Sequence, residues 1–310
     1  MNLRLATTGL ILALATATTP HAAAADKTPP PGSLSEARVQ MEKALNHAMN
    51  LLEMDTAAWA ATDACAPVLQ KMQSKLKRKA DAGGYIQWKE GEAWRVLFFA
   101  REDGEYRALV SVLLETPLSR QSKGKVDEYP VGKGPVLEGQ ALAMARALLV
   151  AHERFAKETN IPPKPLFNAY LEPQSDGTFL VTYTPADQTE GVTLVGPSAE
   201  VTVGSGGTTA AGFRLINSVF DVLSTGAGAA PPGGWKIFWS EPLPSSADLL
   251  RLLLHPELGT VTGISPYGRF RAKAGAVPTF LPWMVPLGGP DPDKEGSSVA
   301  KSPTGEPATP

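Results

Sequence analysis

The first third of the chain carries the apolar periodicity of helices. Apolar residues recur every three or four positions from residue 37 onwards, which predicts a helix that begins at Ser33. Ser33 and Glu36 match the capping-box pattern at such a start. Asp55 is typical of the N-cap of a second helix, and Pro67 of the first turn of a third. We therefore expect three consecutive helices, the last ending at the glycine pair that begins at Gly83.

The pattern then changes to the alternation of strands. Segments rich in aromatic and β-branched residues predict strands at residues 85–88, 93–100 and 105–115. Asp103-Gly104 between the last two is a hairpin signal. A polar loop is expected over residues 117–135, and helical periodicity returns over residues 137–159.

The second half is mostly strands. Asp176-Gly177 predicts another hairpin, and Ser245 or Ser246 is expected to cap a leucine-rich helix over residues 249–254. Further strands are predicted at residues 167–171, 179–183, 191–195, 199–203, 213–222 and 235–239, with a last hairpin at 259–273.

These elements come in runs of one type and do not alternate strictly. We therefore predict an α+β fold, with N-terminal helices followed by a mainly antiparallel sheet that has helices packed on one face. The globular domain is expected over residues 33–285, as one continuous body, although a sub-boundary near 160–165 is an alternative. A proline-rich linker is predicted at 26–32, and a disordered tail rich in Pro, Gly and Ser at 286–310.

The first 25 residues have the pattern of a cleavable secretory signal. Arg4 is the only charged residue before Asp26, an apolar stretch follows it, and the segment ends in a run of four alanines from Ala22. The apolar stretch is shorter than the roughly 20 residues that a membrane span needs. We therefore expect a soluble mature protein that starts near Asp26, is periplasmic or secreted, and has no integral membrane span.

Charge and cysteine content narrow the choice of partners. Removal of residues 1–25 leaves 28 basic and 31 acidic residues, a balance that gives no global attraction for nucleic acid. A hydrophobic fraction of 43% is ample for a buried core. Cys65 is the only cysteine, so no intramolecular disulfide is available, and stability must come from packing.

The residues that are able to support catalysis are few. Cys65 lies in an alanine-rich stretch with no local histidine, which favours a buried structural thiol. His47 falls on the polar face of the first helix and is interpreted as a solvated side chain. His152 lies on an apolar stripe, where a hydrogen-bonded core-edge histidine is expected, and His255 lies at the end of a helix. No complete nucleotide-binding or zinc-binding motif occurs, and we predict no cofactor.

Aromatic residues near the C-terminus form the one candidate interaction surface. Trp235 and Trp239 share a face of a strand, and Tyr267 and Phe270 lie in the closing hairpin. Packing against a helix is the default interpretation. Exposure of this face instead favours a binding platform, because large exposed apolar patches mark interaction sites.

The sequence favours a non-enzymatic binding or assembly factor of the cell envelope, whose partner is another envelope protein or an envelope polymer. The alternative is an exported hydrolase that uses Cys65 or a serine together with His152 or His255.

Overall fold

The computed structural model describes residues 33–161, 166–187, 191–195, 197–216, 221–224, 231, 234–239, 241–265 and 267–282. Within them the helices are α1 (Leu34–Lys79), α2 (Gly139–Thr159) and α3 (Ser246–Leu254), with short 3-10 turns at Ser205–Gly207 and Pro256–Leu258. The strands are β1 (Ala80–Glu90), β2 (Ala93–Glu102), β3 (Glu105–Leu114), β4 (Gly124–Glu128), β5 (Phe167–Pro173), β6 (Phe179–Pro185), β7 (Val192–Val195), β8 (Ser198–Val203), β9 (Ala210–Ile216), β10 (Asp221–Ser224), β11 (Trp235–Phe238), β12 (Thr260–Ser265), β13 (Gly268–Lys273) and β14 (Thr279–Pro282).

The N-terminal helical region is one helix of 46 residues, so the prediction of three helices was wrong. Asp55 does not cap a new helix, because its carboxylate accepts a hydrogen bond from Tyr170 at 2.8 Å in the interior. Pro67 lies inside the helix, which continues through it. The buried stripe of α1 keeps one phase from Ala37 to Val68, and its packing outweighs the backbone hydrogen bond that a proline removes. That stripe includes Ala37, Met41, Leu45, Ala48, Leu51, Ala58, Ala61, Cys65 and Val68.

The glycine pair at residue 83 belongs to β1 and does not end a helix. Gly83 pairs with Ala100 of β2, and a Cβ atom at Gly83 would lie 2.7 Å from the carbonyl oxygen of Phe99. The close approach of two strands therefore requires glycine here.

The first sheet has the order β1-β2-β3-β4 and is buried on both faces. Phe98 of β2 belongs to the core that contains α1, whereas Phe99 belongs to the core that contains α2. A bulge at Leu109 places Leu109 and Val110 together in the α1 core. Strand β4 lies inside the segment for which a loop was predicted.

The second sheet has the order β5-β6-β8-β9 and packs with α2. Its hairpin between β5 and β6 turns at Asp176-Gly177 as predicted, since Gly177 has a positive φ of 82°. Buried residues of this sheet join the core formed by α2 and one face of the first sheet. Both cores thus contain residues from before and after position 165.

The remaining strands pack around α1 and α3. Strands β7 and β10 form a two-stranded antiparallel sheet, and the fourth sheet has the order β11-β12-β13-β14, with β11 parallel to β12. Helix α3 starts at the predicted cap, where the Ser245 hydroxyl accepts a hydrogen bond from the backbone N–H of Asp248. Helices α1 and α3 pack against one another.

The α+β class is confirmed: an N-terminal helix precedes strands that form four mainly antiparallel sheets with helices packed against them. The strands form four sheets and not the single sheet that the sequence suggested, and α1 and α2 cover opposite faces of the first. The predicted signal, linker and tail (residues 1–25, 26–32 and 286–310) lie outside the described residues.

Candidate functional site

A pocket of about 390 Å³ lies between α1, the second sheet and the segment that leads into α3. This pocket, called the α1 pocket below, has a volume within the range of small-molecule sites. Helix α1 supplies one wall, strands β8 and β9 a second, and residues 241–246 the third. The lining residues used below are Gln40, Lys43, His47, Glu200, Arg214 and Glu241.

His47 is held in place from behind the pocket. Its Nε2 atom lies 2.6 Å from Oε2 of Glu172 on β5, and the side-chain amide of Asn50 donates to the other oxygen of Glu172 at 2.7 Å. The hydrogen bond to Glu172 raises the pKa of His47, against the opposing effect of burial, and the negative charges of Glu172 and Glu200 add to the increase. The interpretation of His47 as a solvated side chain was therefore wrong.

The sheet wall presents an ordered ion pair. Glu200 on β8 and Arg214 on β9 are directly opposite in the antiparallel register, and two guanidinium nitrogens of Arg214 donate to Oε2 of Glu200 at 2.9 and 3.2 Å. Cross-strand pairs of this type hold both side chains against the sheet. The guanidinium thus has a defined position at the pocket wall.

The third wall combines rigid apolar residues with the cap of α3. Pro242, Leu243 and Pro244 lead to Ser245, whose hydroxyl donates to Oδ2 of Asp248 at 2.7 Å and accepts from its backbone N–H. Burial raises the pKa of Asp248 to about 7. The Ser245 hydroxyl is occupied by this capping box, and a carboxyl group, not a histidine, is its partner.

Two charged groups of the pocket have no partner of opposite charge. Glu241 is only 8% exposed, and its carboxylate forms no hydrogen bond or ion pair in the part of the chain that the structure describes. Lys43 is exposed on α1 and likewise forms no ion pair there. Every other charged side chain that lines the pocket is bound to a neighbour.

The aromatic residues predicted as an interaction surface lie mostly inside the fold. Trp239 is 3% exposed and Phe270 is 1% exposed, and their rings meet edge to face with centroids 4.8 Å apart. Trp235 and Tyr267 are partly buried. The exposed aromatic of this strand is Phe238, on its opposite face, at 68%.

The residues considered for hydrolysis lie in separate places. The Cys65 thiol is buried on α1 and donates to the carbonyl oxygen of Thr62 at 3.7 Å, and burial raises its pKa to about 11. Nδ1 of His152 lies 2.7 Å from the hydroxyl of Tyr183. No hydrogen bond joins Cys65 to a histidine within the described residues.

His255 lies in a second group of charges at the end of α3, called the His255 cluster below. Its Nε2 atom is 3.0 Å from Oδ2 of Asp187, and its Nδ1 atom is 3.0 Å from Oε1 of Glu257. The buried guanidinium of Arg251 donates to Asp187 and to the hydroxyl of Thr193. Both ring nitrogens of His255 are therefore bound by carboxylates.

Searches for related proteins give no further guidance: no family model, curated protein or solved structure matches this chain. Within the described residues no three His, Cys, Asp or Glu side chains are grouped so as to hold a metal ion. Among those same residues, no helix has the length and apolarity needed to cross a membrane.

Sequence reasoning missed the α1 pocket, although one signal was present. Gln40, Lys43, His47 and Asn50 recur at helical spacing along one flank of the apolar stripe of α1. On an amphipathic helix such a flank usually faces solvent, so the spacing is only a weak signal of a pocket. The partners of that stripe come from β5, β8, β9 and residues 241–246, which sequence spacing does not connect.

Proposed function

We propose that this protein is an exported, non-enzymatic binding protein of the cell envelope, and that it holds a small polar ligand in the α1 pocket. The observation that carries the proposal is the arrangement of the pocket walls. His47 and Arg214 are each fixed by a carboxylate, so the polar groups are positioned before any ligand arrives. Such preorganisation lowers the entropic cost of binding.

The chemistry of the candidate nucleophiles supports binding over hydrolysis. The hydrolase expected from the sequence needs His152 or His255 within hydrogen-bond reach of a serine or cysteine nucleophile. Ser245, in the pocket, is engaged with Asp248, and the raised pKa of Cys65 keeps its thiol protonated. His255 has carboxylates on both ring nitrogens.

Export is supported by the order of a positive start, an apolar stretch and a small-residue end before Asp26. The intact mass of the protein isolated from its host tests this part. We expect a chain that begins at or within a few residues of Asp26, recovered from the envelope or the medium. A full-length chain recovered from the cytoplasm would contradict export.

Ligand binding is tested by blocking the pocket with a matched control. Gln40 lines the pocket, whereas its neighbour Val39 is exposed and lies outside the lining. Gln40→Trp fills the pocket, and Val39→Trp adds the same side chain on the same helical turn. Thermal shift is measured with a panel of amino acids, peptides, sugars, organic acids and polyamines.

We expect at least one compound to raise the Tm of the native protein and of Val39→Trp, but not of Gln40→Trp. Equal shifts in both variants, or none with any compound, would contradict the pocket as the binding site. Conversion of a bound compound to a product would contradict the non-enzymatic assignment.

A further inference from the structure

The class of ligand follows from the charges that the protein itself leaves unpaired, and this inference rests on the proposed binding function. In each of the pairs His47–Glu172 and Arg214–Glu200, the two opposite charges neutralise one another. Glu241 and Lys43 remain, one of each sign, on different walls. A ligand of high net charge would leave one of them uncompensated.

Glu241 defines the cationic part of the ligand. Only 8% of the surface of Glu241 is exposed, and a carboxylate with restricted access to water is stabilised by a cationic partner. The proline residues on either side of Leu243 restrict the segment that carries it. An ammonium group of a ligand would supply the hydrogen-bond donors that the described protein residues do not provide.

Lys43 and His47 define the anionic part of the ligand. They lie one helical turn apart on the α1 wall, and both line the pocket. Nε2 of His47 is bound to Glu172, while Nδ1 has no hydrogen-bond partner within the described residues. The raised pKa of His47 favours the imidazolium form, in which Nδ1 carries a proton and donates. A ligand carboxylate accepts from both groups.

We infer that the α1 pocket binds a zwitterionic amino acid or short peptide, with its ammonium group at Glu241 and its carboxylate at Lys43 and His47. Apolar lining from Ala44, Ile216 and Leu243 accommodates the aliphatic part of such a ligand. The two ends are recognised by different walls, so each is open to separate testing.

Calorimetric titration with L-alanine, L-alanyl-L-alanine and L-alanyl-L-alanyl-L-alanine is the first step. The tightest binder is then compared with its N-acetylated form and with its carboxamide. Loss of one charged hydrogen bond weakens binding by a factor on the order of ten or more, so each capped form should bind at least about tenfold more weakly.

Variants of the pocket test which wall binds each charged end of the ligand. In Glu241→Gln the preference for the free amine over the N-acetyl form should fall to within about threefold, while the preference for the free carboxylate remains. Lys43→Met should show the reverse pattern. Glu153→Gln on α2 and Lys71→Met far along α1 lie outside the pocket and serve as controls that retain both preferences.

Equal affinity for capped and free peptides would overturn the inference, as would unchanged preferences in both pocket variants. Failure of every amino acid and peptide of the panel, together with binding of a sugar, organic acid or polyamine that Gln40→Trp blocks, would overturn the zwitterion assignment and leave the proposed function standing. If no compound binds, both the zwitterion assignment and the proposed function are contradicted.

Discussion

Two histidines of this protein each pair with a carboxylate, but their surroundings differ. His255 has carboxylates on both ring nitrogens, and the neighbouring guanidinium of Arg251 is buried. His47 has a carboxylate on Nε2 alone, and its ring lines a pocket. The first arrangement uses its charges to join α3 to β7 and the segment after β6. The second leaves Nδ1 of His47 without a hydrogen-bond partner among the described residues, at the wall of the α1 pocket.

The largest expected effect is on the His255 cluster. Arg251→Met removes the buried donor of Asp187 and Thr193, and we expect the free energy of unfolding to fall by about 2–4 kcal/mol, because a broken buried ion pair leaves a charge uncompensated. Urea denaturation followed by tryptophan fluorescence measures this. Arg38→Met, which breaks the exposed pair with Glu42, is the control and should cost less than about 0.5 kcal/mol. Similar losses in the two variants would contradict a structural role of the cluster.

The two histidines themselves give a matched pair. His255→Gln loses two hydrogen bonds to carboxylates and should destabilise the fold by about 1–2 kcal/mol, whereas His47→Gln loses one and should cost about 0.5–1 kcal/mol. Ligand affinity should follow the opposite order, with His47→Gln as the weaker binder. Equal affinity in the two variants would break the comparison between a structural and a ligand-binding histidine.

Acid should weaken the His255 cluster. Burial alone would raise the pKa of Asp187, but the hydrogen bond from His255 and the charge of Arg251 lower it to about 2. A lowered pKa gives stability that is present above the unfolded-state value of 3.8 and is lost as the pH falls towards 2. Partial exposure of Asp187 reduces this contribution to about 1 kcal/mol. Unfolding measured from pH 5 to 2 should show a shallower loss in Asp187→Asn, and an unchanged slope would exclude this carboxylate as the source.

The smallest expected effect is the loss of stability as the pH rises through the pKa of His47. Its raised pKa gives stability that is fully present below the unfolded-state value of 6.5 and is lost as the pH rises through the folded-state value. Glu172 and Glu200 act on the ring electrostatically, and Arg214, Glu241 and Lys43 are the other charged residues that line the same pocket. NMR titration of the ring should give a midpoint above 6.5, and Glu172→Gln should lower it. A midpoint that does not move in that variant would show that Glu172 does not hold the imidazolium form.

Local signals explain which elements were predictable. Asp103-Gly104 and Asp176-Gly177 both form the expected hairpin turns, because the positive φ angles of such turns select these residues. The helix starts predicted at Asp55 and Pro67 were wrong, because the local preferences of these residues are outweighed by tertiary packing along α1. Strand β4 is paired on one side only and carries little apolar pattern, so its sequence resembles a loop.

The α1 pocket could not be predicted from local sequence signals, because its residues are far apart in the sequence. His47 and Glu172 are 125 positions apart, and Glu241 lies further along still. Nothing in the spacing of these residues indicates that they meet. The prediction of an aromatic surface likewise depended on which face of β11 is covered, and tertiary packing decides that: Trp239 and Phe270 are inside, and Phe238 is outside.

Because α1 is one continuous helix, the number of residues within it determines where its pocket-lining side chains lie. One residue inserted between Asn50 and Met54 would rotate the pocket-lining turns by about 100° relative to the turns behind them. Gln40, Lys43 and His47 would leave the pocket together, although none of them had been changed. Substitutions in that interval alter a single side chain. Within α1, an insertion or deletion moves the whole α1 wall of the pocket as a unit.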